Sequence, residues 1–213
     1  MEATVNNLHP VFSNCLQAFA EGQRIAARQG HDVVEANTRE AWLAGRRSGI
    51  GGSDIAAILG LTPKNWKTPL DVWLDKTGQA TEDPVGNSEA AYFGTLFEGE
   101  IAREYGRRTG HTVQRVNRIL RHPEHEWAIG NIDRAIVSPG SRVRVADDGG
   151  TLLGADGILE VKTASMFKAS EWGRDGDDDA VPLHYQAQVM WYLGITGQPW
   201  CDVTALIGGQ RMV

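Results

Sequence analysis

Apolar positions recur at helical spacing through much of the first half of the chain and in short, strand-like runs through most of the second. Leu16, Phe19 and Ile25 give a patchy helical pattern inside 1–37, a poorly constrained segment to which no function attaches. From Gly49 to Gly60 a glycine-rich turn feeds a short helix, with Ser53 expected as N-cap and Gly60 as its stop. Pro63, Asn65 and Pro69 interrupt every period, so 61–69 reads as a loop. The next helix carries Leu70, Trp73 and Leu74 on one face and ends at Gly78. A polar stretch holding Pro84 and Gly86 follows as a loop, and then Phe93 to Arg108 forms the clearest helix, closed by Gly110. Strands are predicted over 112–116, 118–120, 127–137, 142–145 and 158–163, then a helix over about 184–193 and a last strand from Cys201 to Ile207. This order predicts an α/β fold, one mixed central sheet flanked by helices. A chain of 213 residues, 41% of them hydrophobic, is expected to form a single domain spanning 1–213 with no need of disulfides or a structural metal.

Charge and cysteine usage narrow the function. The net charge is -6, from 27 acids against 21 Lys and Arg, which lacks the footprint of a passive nucleic-acid binder. It counts less against a nuclease, whose catalytic carboxylates add negative charge that divalent ions neutralise. Cys15 and Cys201 are far apart and frame neither a disulfide scaffold nor a zinc site. With no basic region followed by an apolar run at the N-terminus, and no apolar stretch near about 18 residues, neither export nor a membrane partner is expected; the reading is cytoplasmic.

The predicted strand Ile158-Leu159-Glu160-Val161-Lys162-Thr163 places Glu160 and Lys162 on one face, since side chains alternate with a period of two. Glu160 supplies the hard oxygen that Mg²⁺ requires, the Val161 carbonyl is a further ligand, and Lys162 orients or helps deprotonate an attacking water. A solvent-facing pair on a sheet would look the same. Asp133 interrupts the apolar run 127–137 where sheet core is expected, so it is either surface-facing on an edge strand or a carboxylate whose burial a metal or a cation offsets. Glu98 is in line with Ile101 and Tyr105 on the inward helix face, although an acid in the first turns also suits the helix dipole. Gln188 shares a helix face with Tyr185 and Tyr192, from which its amide could bridge Lys162 or a water; a partly exposed glutamine is the plainer alternative.

Phosphate contacts are expected in two places. Arg103, Arg107, Arg108, Arg115, Arg118 and Arg121 stand against the single acid Glu104 between Ile101 and His122, and Arg103 and Arg107 share a helix face. The amides around Gly52 and Ser53, with Arg46 and Arg47 upstream, could hold a terminal phosphate. Trp66, in the proline-bounded loop, either stacks on bases or anchors the loop to the core.

Several of these pieces, taken in order from Trp42 to Gly209, resemble the phage-type alkaline exonucleases similar to lambda exonuclease, the YqaJ-like viral recombinases of the PD-(D/E)xK superfamily. They are Arg46 to Asp54, ending Gly-Ile-Gly-Gly-Ser-Asp; Lys76-Thr77-Gly78; Gly94-Thr95-Leu96-Phe97-Glu98; Gly130-Asn131-Ile132-Asp133; Leu159-Glu160-Val161-Lys162-Thr163; and Pro182 to Gln188. The resemblance implies a restriction-endonuclease-like core with Asp133, Glu160 and the Val161 carbonyl on the metal, Glu98 supporting a second ion, and Lys162 and Gln188 positioning water. It implies Mg²⁺, with Mn²⁺ as substitute and two ions per site, and recognition of a 5′ phosphate by Arg46 and Ser53. The implied activity is 5′-to-3′ digestion of linear duplex DNA, commonly by a ring-shaped trimer, leaving a 3′ strand for an annealing protein. Between Asp133 and Glu160 the turns at Pro139-Gly140 and Asp147 to Gly150 suggest an inserted hairpin over 138–156, and Asp156 competes with Asp133 for the metal assignment. The chain ends at Val213, soon after the last strand, where relatives of this kind continue into helices. The rivals are an endonuclease or single-strand nuclease with the same centre, and a DNA-end-binding module without catalysis. An iron–sulfur variety is disfavoured because only two cysteines are present.

Overall fold

The computed structural model describes residues 44–63, 66–80, 88–173 and 180–213. The pattern through Leu16, Phe19 and Ile25, together with Trp42, Pro84 and Gly86, lies outside them.

The chain enters through a turn pressed against Trp127, where a β-carbon on Gly49 would lie 2.4 Å from the Trp127 carbonyl oxygen. Helix α1 (Gly52–Ile58) follows, and its N-cap is Gly51 rather than Ser53. The expectation fails because Asp54, one residue further on, reaches back to accept the Gly51 amide at 2.9 Å, leaving Ser53 inside the first turn. Gly60 does take the left-handed conformation that stops the helix, at φ 68. Helix α2 (Pro69–Lys76) is capped reciprocally by Thr68 and Asp71. Its expected apolar face is turned outward, with Leu70 62% and Trp73 44% exposed, while Val72 and Lys76 are buried. Val72 and Lys76 are four apart and so share a line along the helix. The buried Asp54 carboxylate draws that line inward by pairing with Lys76 at 2.7 Å. Helix α3 (Glu89–Thr109) is capped by Ser88 and closed by Gly110 in the left-handed region.

Five strands make a mixed sheet in the order β1 (Thr112–Gln114), β4 (Arg134–Val137), β7 (Gly157–Ala164), β8 (Cys201–Ile207), β9 (Arg211–Met212). Only β7 and β8 run parallel, and a 3-10 helix (Met166–Glu171) and α4 (Leu183–Thr196) lie along the crossover between them. The expected strand 127–137 is divided. β3 (Ile129–Gly130) pairs with β2 (Leu120–Arg121) in a separate ribbon, and β4 pairs with β1 and β7, so Asp133 stands in the break before β4 rather than within a strand. β5 (Arg144–Val145) and β6 (Leu152–Leu153) pair antiparallel between β4 and β7.

Alternation along β4 and β7 sorts side chains to two cores. Ala135, Val137 and Ile158 pack with Ile55 of α1 and Trp191, Tyr192 and Ile195 of α4. Ile136, Leu159 and Val161 pack with Ile101 and Tyr105 of α3. A mixed sheet flanked by helices is thus what the chain forms, as its alternating pattern predicts. No helix among the described residues is long and apolar enough to cross a membrane.

Candidate active site

Because Glu160 and Lys162 share the face of Ile158, both point toward α4, where one helix residue meets them. The Gln188 amide donates to Glu160 Oε1 at 2.6 Å and its carbonyl oxygen accepts from Lys162 Nζ at 3.2 Å. Lys162 also donates to Glu160 Oε1 at 2.6 Å. Glu160 is only 3% exposed, and its other oxygen, Oε2, is buried with no hydrogen-bond partner. A buried acceptor with nothing to accept costs about 1–3 kcal/mol, more when charged, so this oxygen is suited to a positive group.

Asp133 joins them from the break before β4. The β4–β7 ladder runs to Arg134 opposite Leu159, and the Asp133 carboxylate takes the Val161 amide at 2.7 Å in place of backbone. Burial, and then the neighbouring Glu160 charge, push the Asp133 carboxyl well above the usual carboxylate range. Burial raises Glu160 as well, against the pull of Lys162. Burial opposes the charge on Lys162, yet Glu160 and Asp133 hold its pKa above the ordinary lysine value. Its contacts place it to orient the two carboxylates. Its Nζ also lies 4.8 Å from the Tyr185 ring centroid, over the ring face.

Asp133, Glu160, Val161, Lys162, Gln188 and Glu98 line one cleft of about 290 Å³. Arg46, Gly52 and Ser53 form another part of its wall. Arg46 donates to the Ser53 hydroxyl at 3.0 Å, which is available because Ser53 does not cap α1. A β-carbon on Gly52 would fall 2.6 Å from the Tyr192 ring and 2.9 Å from Gln188 Cγ, so only glycine lets this wall approach the Gln188 helix so closely.

Glu98 points inward as its helix face predicts, but its partner is Arg134, 2.5 Å away. Among the described residues no group of three or more His, Cys, Asp and Glu is arranged to hold a metal ion. The donors that fit one are the unpartnered Glu160 oxygen and the adjacent Asp133 carboxylate, both hard ligands suited to Mg²⁺. The other candidates are elsewhere. Asp156 accepts from Ser138 at an exposed turn. Arg103 pairs with Glu100, and Arg107 and Arg108 both pair with Glu104 on the outer surface of α3, so three of the six arginines of the basic run share two acids one turn back. Arg121 turns toward Ser48. Trp66 meets His184 edge-on at 5.4 Å between centroids, outside the cleft lining.

Sequence reasoning missed three groups. Tyr185 and Tyr192 were legible only as companions of Gln188 on its helix face. Arg134 follows Asp133 directly, and nothing in its neighbours distinguishes it from a surface arginine.

The YqaJ-like viral recombinase domain matches residues 41–199. The YqaJ protein of Bacillus subtilis is 43% identical over 180 residues, which cover 83% of this chain and 49% of that protein. The chain thus spans about half the length of that relative. Among solved structures, an alkaline exonuclease from Laribacter hongkongensis, LHK-Exo, aligns with a TM-score of 0.52 at 17% identity, covering 81% of this chain and 76% of that one. Its complex with dAMP aligns with a TM-score of 0.56 at 19% identity, covering 78% and 73%. These structural likenesses show a shared fold.

Proposed function

Because the chain belongs to the YqaJ-like viral recombinase family, we propose that it is a metal-dependent nuclease that digests linear double-stranded DNA from the 5′ end and leaves 3′ single strands for strand annealing. One observation carries the reading. Asp133 and Glu160 converge beside an ammonium, and the buried Glu160 Oε2 has no partner. The fold shared with a protein named an alkaline exonuclease supports it.

Asp133, Glu160 and the Val161 carbonyl would hold Mg²⁺ or Mn²⁺. Such an ion, when bound, polarises a phosphoryl oxygen and makes water more acidic. The protein's own groups do the positioning. Lys162 and Gln188, already hydrogen-bonded to each other and to Glu160, fix the attacking water against the phosphorus. Polarity needs a contact that distinguishes an end. A terminal phosphate carries more negative charge than an internal diester, and the Arg46 guanidinium with the Ser53 hydroxyl, in the lining of the same cleft, is suited to the former. Gly52 keeps that lining close. Arg103 and Arg107 on the α3 surface would contribute non-specific phosphate contacts, and Trp66 a stacking surface for bases. The resemblance favours a homotrimer, a single-strand annealing partner and a cytoplasmic setting; sedimentation equilibrium tests the first.

The test offers the protein linear and covalently closed circular duplexes, with strands labelled separately at 5′ and 3′ ends and with 5′-phosphoryl or 5′-hydroxyl termini. The expected result is Mg²⁺- or Mn²⁺-dependent loss of 5′ label from linear DNA, faster with the phosphate, with no activity in EDTA and little in Ca²⁺. Cleavage of the closed circle would favour an endonuclease, and full activity in EDTA would remove the metal centre.

A further inference from the structure

β4 begins with an arginine, and the period-two alternation that sends Ile136 toward α3 sends Arg134 the same way. Its side chain is 11% exposed. One terminal nitrogen donates to Glu98 Oε1 and to the Asp133 carbonyl oxygen, each at 2.5 Å. The other lies against α3, where a β-carbon on Gly99 would be in ordinary contact at 3.9 Å. One nitrogen of the guanidinium is thus shared between a backbone carbonyl and a carboxylate of the cleft. An arginine does not release its proton in a protein, so this charge cannot be removed to make way for another cation.

We propose that Arg134 takes the place of a second metal ion: the centre binds one divalent cation, between Asp133 and Glu160, and the guanidinium occupies the Glu98 side. The inference rests on reading the cleft as a metal-dependent nuclease centre. Its first support is geometric. Glu98 is the acid a second ion would need, and it is already paired, whereas the unpartnered buried oxygen belongs to Glu160. Its second is charge. Glu98, Asp133 and Glu160 against Lys162, Arg46 and the adjacent Arg134 leave the cleft neutral. One divalent ion and one bound phosphodiester bring that balance to a single positive charge. A second divalent ion would leave a surplus of three positive charges packed around a buried arginine, where like charges a few ångströms apart repel by several kcal/mol even at an effective dielectric of about 20. The divalent ion that remains supplies its chemistry at the Glu160 side, and Arg134, fixed by Glu98, offers its charge to the same phosphate without a coordination sphere to assemble.

The experiment counts Mn²⁺ bound per chain by titration calorimetry and electron paramagnetic resonance, with and without dAMP, in the wild type, Arg134→Gln, Glu98→Gln and Glu160→Ala. The wild type is expected to bind one isolated Mn²⁺, lost in Glu160→Ala and retained in Glu98→Gln. Arg134→Gln, which frees Glu98, is expected to bind a second ion and to show the spin coupling of a close pair. Two coupled ions in the wild type, loss of the ion in Glu98→Gln, or a folded Arg134→Gln with only one ion each overturns the inference. Should Arg134→Gln fail to fold, the wild-type and Glu98→Gln counts decide it. A wild type that binds no Mn²⁺ removes the nuclease reading and this inference with it, whereas two ions remove only the inference.

Discussion

Two carboxylates of this protein are buried to the same depth and differ in almost everything else. Asp54 is 0% exposed and fully engaged: Lys76 pairs with one oxygen at 2.7 Å, Lys67 with the other at 2.8 Å, and the Gly51 amide adds a third contact. Burial opposes its charge, but Lys76, then Lys67 and Arg46, hold its carboxyl well below the usual carboxylate range. Glu160, 3% exposed, has one oxygen crowded by Lys162 and Gln188 and the other without a partner, and its carboxyl is raised. Burial of an acid therefore does not mark a site. An unsatisfied acid does, because the protein tolerates the cost where something else is to bind. Arg46 links the two regions, since its carbonyl oxygen accepts from Lys76 while its guanidinium reaches Ser53 on the cleft wall.

The contrast can be broken by substitution. Glu160→Ala should leave a folded protein and reduce Mg²⁺-dependent nuclease turnover by on the order of a thousandfold or more, since metal polarisation supplies several kcal/mol of the barrier; near wild-type turnover would separate this centre from catalysis. Asp54→Ala should do the reverse, lowering stability to urea by about 3–5 kcal/mol because it strands the buried Lys76 ammonium. An unchanged unfolding midpoint would show that the pair is not structural.

Arg46→Ala keeps the backbone contact to Lys76, so it tests the cleft wall with the structural cluster intact. Initiation on 5′-phosphoryl ends should slow by roughly ten- to hundredfold, the worth of a charged hydrogen bond of about 1.5–3 kcal/mol. Metal binding should not change, and an equal slowing on 5′-hydroxyl ends would argue against end recognition. The smallest effect is expected from Asp133→Asn with metal chelated: a gain of about 1 kcal/mol in stability.

The pH dependence of the chelated protein sharpens that last point. Asp54 has a lowered folded value, so its stabilisation is present above the unfolded value near about 4 and is lost as pH falls through the folded one. Asp133 and Glu160 have raised folded values, so the native state takes up protons first, and stability rises as pH falls from neutral through them toward about 4. Unfolding free energy measured across this range should show that rise in the wild type and a flatter profile in Asp133→Asn.

Much of this was legible in order along the chain. β8 covers Cys201–Ile207 as its apolar run predicts, although the short β9 rather than β8 is the last strand, and Gly110 closes α3. Glu160 and Lys162 share a face for no deeper reason than the two-residue repeat of a strand. The Leu70–Trp73 face was misleading because those side chains are more apolar than Val72 and Lys76, yet the partner across the interface is the Asp54 carboxylate, which selects the lysine.

By itself, then, the sequence determined which residues alternate, where helices stop, and which charges leave a given element on the same side, because each depends on neighbours within a few positions. The tertiary structure alone decided what each charge meets. Glu98 finds Arg134 across 36 positions, Gln188 reaches Glu160 across 28, and Asp133 takes the Val161 amide across 28. A local repeat states which face a side chain leaves by, but the element lying opposite that face is set by chain packing. The partner opposite is what makes one buried acid a structural anchor and leaves another open to a metal.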